Sequence, residues 1–327
     1  MISRRITLGA VSAFLGMLLW FVPSAASAQD CYVGNDPEIN FGQLAGTPTQ
    51  QVDATGTLRI TCLGNYNQQV KVCARLANGS PDPSLLPQRR MARAGDRLNY
   101  QIHSDAARSQ IWGAGGATPA FETIITLDTW LLFFSAGQVD VPLYGRLQGG
   151  QTGIGSGNYQ STLNGSSITW TTNLNRSCNA ITSGPVAFSA TVRATVTSSC
   201  TIAANNLSFG SHSQLAAAVT ASTSLGVTCT VGTPYTVRMD GGTTANNVAD
   251  RRMGLNGTGP AAQGVAYQLR HTSPNGPLWG DGTSGTSTLA GTGTGGSQTL
   301  PVYGRVLPQA VPLPGQYEDT VTVTVQY

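Results

Sequence analysis

The feature that most narrows the possible folds is an internal repeat: one ordered series of short motifs runs through the chain twice. The first copy reads Cys31 … Asn40-Phe41-Gly42 … Thr61-Cys62 … Arg89-Arg90-Met91 … Tyr100-Gln101 … Trp112-Gly113 … Tyr144-Gly145-Arg146 … Gly157-Asn158-Tyr159. The second reads Cys200 … Ser208-Phe209-Gly210 … Thr228-Cys229 … Arg251-Arg252-Met253 … Tyr267-Gln268 … Trp279-Gly280 … Tyr303-Gly304-Arg305 … Gly315-Gln316-Tyr317. Whatever fold forms once must form twice, so the 327 residues make two domains of ordinary size and not one large core. The copies meet near Ser198 with no flexible linker between them.

Within each copy the pattern is that of short strands. Charged residues make up only 10% of the chain, 40 residues are glycine, and Thr/Val/Tyr-rich runs are punctuated by Gly, Pro and Asn. This predicts an all-β protein of two tandem immunoglobulin-like β-sandwiches. Alternation is clearest at the carboxyl end, Thr320 to Tyr327, and in a similar run from Phe188 to Val196 that leads straight into the second copy. On the terminal strand Tyr317, Asp319, Val321, Val323, Val325 and Tyr327 share one face, and Thr320, Thr322 and Thr324 the other. An open sheet edge beside that strand would invite pairing with another chain, and the second sandwich is expected to lack its final strand. Domain one carries extra strand material, Tyr159–Trp170, a loop holding Cys178 and then Val186–Val196, and is expected to close its own sheet. Whether Val186–Val196 corresponds to the terminal strand of copy two or adds one beyond it stays open. Two complete sandwiches are the alternative.

The amino terminus has Arg4 and Arg5, an apolar run from Ile6 to Val22 and the small-residue site Ala26-Ser27-Ala28. This predicts a secretory signal peptide over residues 1–28, with a mature first domain over 29–197 and a second over 198–327. In an oxidising compartment, Cys31–Cys62 and Cys200–Cys229 would each tie the first strand to the second, each worth roughly 3–4 kcal/mol in the chain-entropy model. Cys73 and Cys178 have no counterparts in copy two, and the even count predicts a third bridge private to domain one.

Chemistry is poorly represented. His103, His212 and His271 are scattered without metal-ligand spacing, and neither a nucleophile elbow nor a phosphate loop is present. A net charge of +3 without basic clusters gives no reason to expect a nucleic-acid partner. No catalytic, metal-binding or cofactor-binding residues are expected, and the chain is read as a non-enzyme. Domain one has instead an insertion containing Trp130-Leu131-Leu132-Phe133-Phe134, where copy two is Gly/Ser/Thr-rich from Ser284 to Ser297. Five consecutive large apolar residues do not alternate. They are either a hydrophobic finger at a loop tip or a strand buried on both faces after Ile124, Ile125 and Leu127. Gly149–Gly157 and Asn175–Pro185 are candidate tip loops or ordinary connections. The recurrence of Arg-Arg-Met and of Trp112 and Trp279 in both copies points to shared structural roles.

The Cys…Phe-Gly…Cys opening, the Trp-Gly, the Tyr-Gly-Arg and the Gly-x-Tyr-x-Asp-Thr-Val-Thr-Val-Thr-Val ending together resemble the spore coat protein U domain, the pilin unit of archaic chaperone–usher pili. Copy two is similar throughout, Cys200 to Tyr327; copy one is similar to about Tyr159 and then departs. Two such domains in one exported chain resemble the two-domain tip adhesin of these pili. The resemblance implies a subunit whose missing strand is lent by a periplasmic pilus chaperone and then replaced by an adjacent pilin subunit at an outer-membrane usher. Only Gln29 and Asp30 precede Cys31 after the expected cleavage, so the chain is expected to accept a strand without donating one. That places it at the pilus tip on the cell surface, attaching to an abiotic or host surface and promoting biofilm. A secreted carbohydrate-binding, lectin-like module or a structural coat protein is the alternative.

Overall fold

The computed structural model describes residues 30–82, 88–116, 118–131, 134–181, 184–310 and 313–327. The expected signal peptide, and Leu132 and Phe133 of the apolar run, lie outside them. Domain one contains β1 (Asp30–Val33), β2 (Glu38–Ala45), β3 (Val52–Gly64), β4 (Gln68–Arg75), β5 (Arg89–Arg93), β6 (Asp96–His103), β7 (Phe121–Leu127), β8 (Thr129–Leu131), β9 (Phe134–Leu147), β10 (Gly157–Thr162), β11 (Ser166–Thr171), β12 (Val186–Phe188) and β13 (Thr191–Thr197). Domain two contains β14 (Cys200–Ala204), β15 (Val219–Cys229), β16 (Pro234–Met239), β17 (Arg251–Leu255), β18 (Val265–Arg270), β19 (Leu289–Thr292), β20 (Ser297–Val306), β21 (Tyr317–Glu318) and β22 (Val323–Gln326). The protein is all-β, built as two sandwiches of the immunoglobulin-like kind.

The period-2 alternation is what makes each layer: along β3 from Gly56 to Gly64 every second residue, including Leu58, Ile60 and Cys62, is buried while the intervening ones are exposed or half-exposed. In domain one the larger sheet runs β1-β3-β9-β6-β5-β10-β13-β2, with β8 hairpinned onto β9, and it packs against a smaller sheet, β12-β11-β4-β7. In domain two the corresponding sheets are β14-β15-β20-β18-β17-β21 and β19-β16-β22. Each domain has its own apolar core.

The repeated motifs occupy equivalent places. Trp112 and Trp279 are both fully buried, and each indole N–H donates to a carbonyl of the facing sheet, Ala74 at 2.9 Å and Val237 at 3.1 Å. Arg89 and Arg251 are buried as well. Arg89 donates to the carbonyls of Leu76, Ala77 and Trp112, and Arg251 to those of Met239 and Asp240. These guanidinium groups answer carbonyls that strand pairing leaves free; burial without a carboxylate partner pushes the Arg89 group down to about 10. The glycine of each Tyr-Gly-Arg is required by close approach: a methyl on Gly145 would meet Ile39 and Phe41, and one on Gly304 would meet Leu207 and Phe209.

Three disulfides are formed. Cys31–Cys62 and Cys200–Cys229 join directly paired residues of β1 with β3 and of β14 with β15. In domain one β2 intervenes in sequence, so that bridge links first and third strands, not consecutive ones. Cys73–Cys178 ties β4 to the loop after β11.

Candidate functional sites: a distal aromatic hairpin and an open sheet edge

The first site is built where β8 turns into β9. Leu131 pairs with Phe134 and Trp130 with Ser135, so the apolar run straddles a hairpin. Trp130 is 65% exposed and Phe134 45%. Tyr66, in the turn between β3 and β4, is 60% exposed and meets Trp130 edge-on with ring centroids 5.7 Å apart. Ile124 points outward from neighbouring β7 while Ile125 and Leu127 point into the core. The structure thus gathers Tyr66, Trp130 and Phe134 on one end of domain one. Tyr66 is a contribution the sequence did not mark for this place. A lone tyrosine between Asn65 and Asn67 carries no pattern, and only the spatial neighbourhood of the two turns identifies it.

This end is the one remote from domain two. The other end of β3 adjoins the junction: the Gly46 amide donates to the Thr197 carbonyl, the Thr47 hydroxyl to Ile154, and Ser199 N–H to the Thr230 hydroxyl. Gly155 pairs with Val231 across the two domains. The glycine-rich stretch Gly149–Gly157, a candidate tip loop by sequence, therefore serves the interdomain contact. Thirteen residues of β3 separate the two ends, about 40 Å of extended chain.

The second site emerges from comparing the two domains strand by strand. β10 and β21 hold the tyrosines of the equivalent Gly-x-Tyr motifs, and each borders the Arg-Arg-Met strand, β5 or β17. β11 and β22 are equivalent because each pairs with the strand receiving the tryptophan indole N–H, β4 or β16. Domain one then continues into β12 and β13, so Val186–Val196 is additional to the terminal strand of copy two.

β13 inserts between β10, antiparallel, and β2, parallel. Its Val192, Ala194 and Val196 are essentially buried, and with them Ile39, Phe41 and Tyr159. Domain two has no strand in that position among the described residues. Its counterpart of β2, Leu207-Ser208-Phe209-Gly210, lies against Gly304 just as Ile39 and Phe41 lie against Gly145, and it keeps the same turn, with Gly210 at φ +79° beside Gly42 at +74°. Yet residues 205–218 form no strand, and Leu207, Phe209 and Tyr317 stay half-exposed over the core.

The terminal segment is not one continuous strand. Tyr317–Glu318 pairs in the larger sheet and Val323–Gln326 in the smaller, with Asp319–Thr322 crossing between them. The crossing is pinned at Asp319, whose carboxylate accepts from the Tyr267 hydroxyl at 2.6 Å, the Thr243 hydroxyl and the Thr244 amide. Burial and this carboxylate push the Tyr267 hydroxyl upward. Tyr317 thus borders the vacant position of the larger sheet. Val321, Val323 and Val325 are half-buried against the core, and Tyr327 is exposed at the margin of the smaller sheet. Among the described residues no group of three or more His, Cys, Asp or Glu could hold a metal ion.

The model of the Spore Coat Protein U domain matches residues 19–166 and 186–324. Among solved structures, the chain is similar to the CsuC-CsuE chaperone–tip adhesion subunit pre-assembly complex from archaic chaperone–usher Csu pili of Acinetobacter baumannii. The identity is 19% and the TM-score 0.52, over 91% of this chain and 100% of that one. The CupB6 tip adhesin of Pseudomonas aeruginosa aligns at 11% identity and a TM-score of 0.36, over 91% of this chain and 94% of that one. No curated protein matches the chain in sequence.

Proposed function

The chain belongs to the Spore Coat Protein U domain family, and from that premise we propose that it is the tip adhesin of a chaperone–usher pilus, completed by a strand from another chain. The observation that carries this reading is the position filled by β13 in domain one and unfilled in domain two, between Tyr317 and the Leu207–Gly210 segment. A half-exposed apolar row flanked by free backbone groups is a liability unless a strand covers it. Strand addition supplies both the hydrogen bonds and the side chains. A periplasmic chaperone first occupies the gap, and at the outer-membrane usher an adjacent pilin subunit takes its place. Export follows from the signal-like residues 1–28.

Attachment is assigned to the far end of domain one. Trp130, Phe134 and Tyr66 form the apolar contact to abiotic or host surfaces and so promote biofilm. The similarity of fold to a chaperone-bound tip subunit supports this arrangement. No part of the reading calls for catalysis.

The test is periplasmic expression with and without the cognate chaperone, followed by limited proteolysis and peptide mapping. Residues after about Ser198 should be cut without chaperone and protected with it, while residues 30–197 survive in both. Equal resistance of both domains in the absence of any partner would end the strand-acceptor reading.

A further inference from the structure

The loop after β11 has no counterpart in domain two and falls in residues 167–185, between the two segments matched by the family model. It folds back over the outer face of the smaller sheet as a flap. Cys178 is bonded to Cys73 of β4, and Arg75 donates to the carbonyls of Cys178 and Ile181. The Lys71 ammonium reaches the Arg176 carbonyl at 3.2 Å. Between the flap and the turn that carries Tyr66 lies a cleft of about 520 Å³, lined by Asn67, Gln68, Gln69, Thr126, Thr172 and Leu174.

We propose that this cleft binds a neutral, hydroxyl-rich oligosaccharide, giving domain one a polar contact site beside its apolar hairpin. The proposal rests on reading domain one as the attaching domain. Its volume is that of a ligand site, and its chemistry suits sugar. The side chains of Asn67, Gln69, Thr126 and Thr172 make no hydrogen bond within the described chain, so two amides and two hydroxyls are free to donate to and accept from vicinal hydroxyl groups. Tyr66, 60% exposed, adjoins the lining residue Asn67 in sequence and so offers an aromatic ring at the rim for the C–H face of a sugar ring. Acidic sugars are disfavoured because none of the six lining residues carries a charge. Lys71 is paired with Glu122 at 3.1 Å, and Arg176 turns its guanidinium back onto the Ala180 carbonyl at 2.7 Å.

The experiment applies the full chain to an array of neutral gluco-, manno- and galacto-oligosaccharides printed beside sialylated and sulfated ones, with alkyl-coated spots on the same slide. Retention on a subset of the neutral glycans is expected, and Gln69→Ala combined with Thr126→Ala should lower it at least tenfold. Both side chains are exposed, so the variant should melt with the parent and keep its alkyl retention. Loss of alkyl retention with Trp130→Ala would report on the hairpin separately. Absence of neutral-glycan binding, binding confined to acidic glycans, or neutral-glycan binding unmoved by the double substitution would each overturn the proposal; absence of alkyl retention alone would overturn the hairpin reading and leave the cleft standing.

Discussion

Arg89 shows how a charged residue becomes a core residue. Its fork reaches carbonyls of three residues that no strand partner satisfies, and Arg251 repeats the arrangement in domain two. Removing it would leave several buried acceptors unpaired, each worth about 1–3 kcal/mol. Arg89→Leu should therefore lower the unfolding free energy of domain one by about 3 kcal/mol or more in urea titration, and Arg89→Lys should recover little, since an ammonium cannot span the same carbonyls. The recurrence of Arg-Arg-Met made a structural role legible, but not its mechanism, because the acceptors lie on segments distant in sequence. Histidine sets a second residue-scale expectation. Burial holds the His103 and His271 imidazoles below their ordinary value of 6.5. The unfolded chain then binds more protons than the folded one just below that pH, so stability falls as pH drops through the window beneath about 6.5. Asp53, held low by its hydrogen bond from Arg146, adds a loss of the same sign further down, as pH falls through and below the ordinary carboxylate range. Chemical denaturation at a series of pH values should show the decline, and His271→Gln should flatten its upper part.

At the scale of elements, β13 decides the difference between the domains. Its Val-x-Ala-x-Val face completes a core that domain two leaves half-covered. Appending a copy of residues 189–197 after Tyr327 through a flexible linker should fill the equivalent gap. Burying two valines and an alanine should raise the stability of domain two by about 3 kcal/mol, read as a higher urea midpoint. The same extension with aspartate in place of both valines should give no gain; equal stabilisation by both would show that the gap is not the acceptor. The flap is the other element private to domain one. Its bridge closes a separation of 105 residues, for which chain entropy gives up to about 4–5 kcal/mol. Cys73→Ala with Cys178→Ala should cost a large part of that and weaken the cleft before the hairpin.

For the whole molecule, the consequence is polarity. The junction, ordered through Gly155 and Val231, and the aromatic hairpin sit at opposite ends of domain one, and the sheet edge without a counterpart of β13 among the described residues belongs to domain two. A chain so arranged can be held at one end and make contact at the other. Produced alone, residues 30–197 should fold to a monomer with sharp thermal unfolding. Residues 198–327 produced alone should aggregate or bind an apolar dye until a complementing strand is supplied. A soluble, cooperatively melting second fragment would contradict the difference between the two cores.

Local pattern was enough for the class of fold, the duplication and the strand character of most segments. Alternation and turn chemistry act between neighbours in sequence, and a repeat is visible by inspection. The resemblance carried by Phe-Gly, Trp-Gly and Tyr-Gly-Arg rested on the same kind of information. Three things were settled only by strands meeting across the chain: that Val186–Val196 lies beyond the terminal strand, that the terminal segment divides between two sheets at Asp319, and that Tyr66 stands beside Trp130. Strand order and register depend on pairings between residues up to about 150 positions apart, such as Val192 with Ile39. No periodicity within one segment records which distant edge it will find.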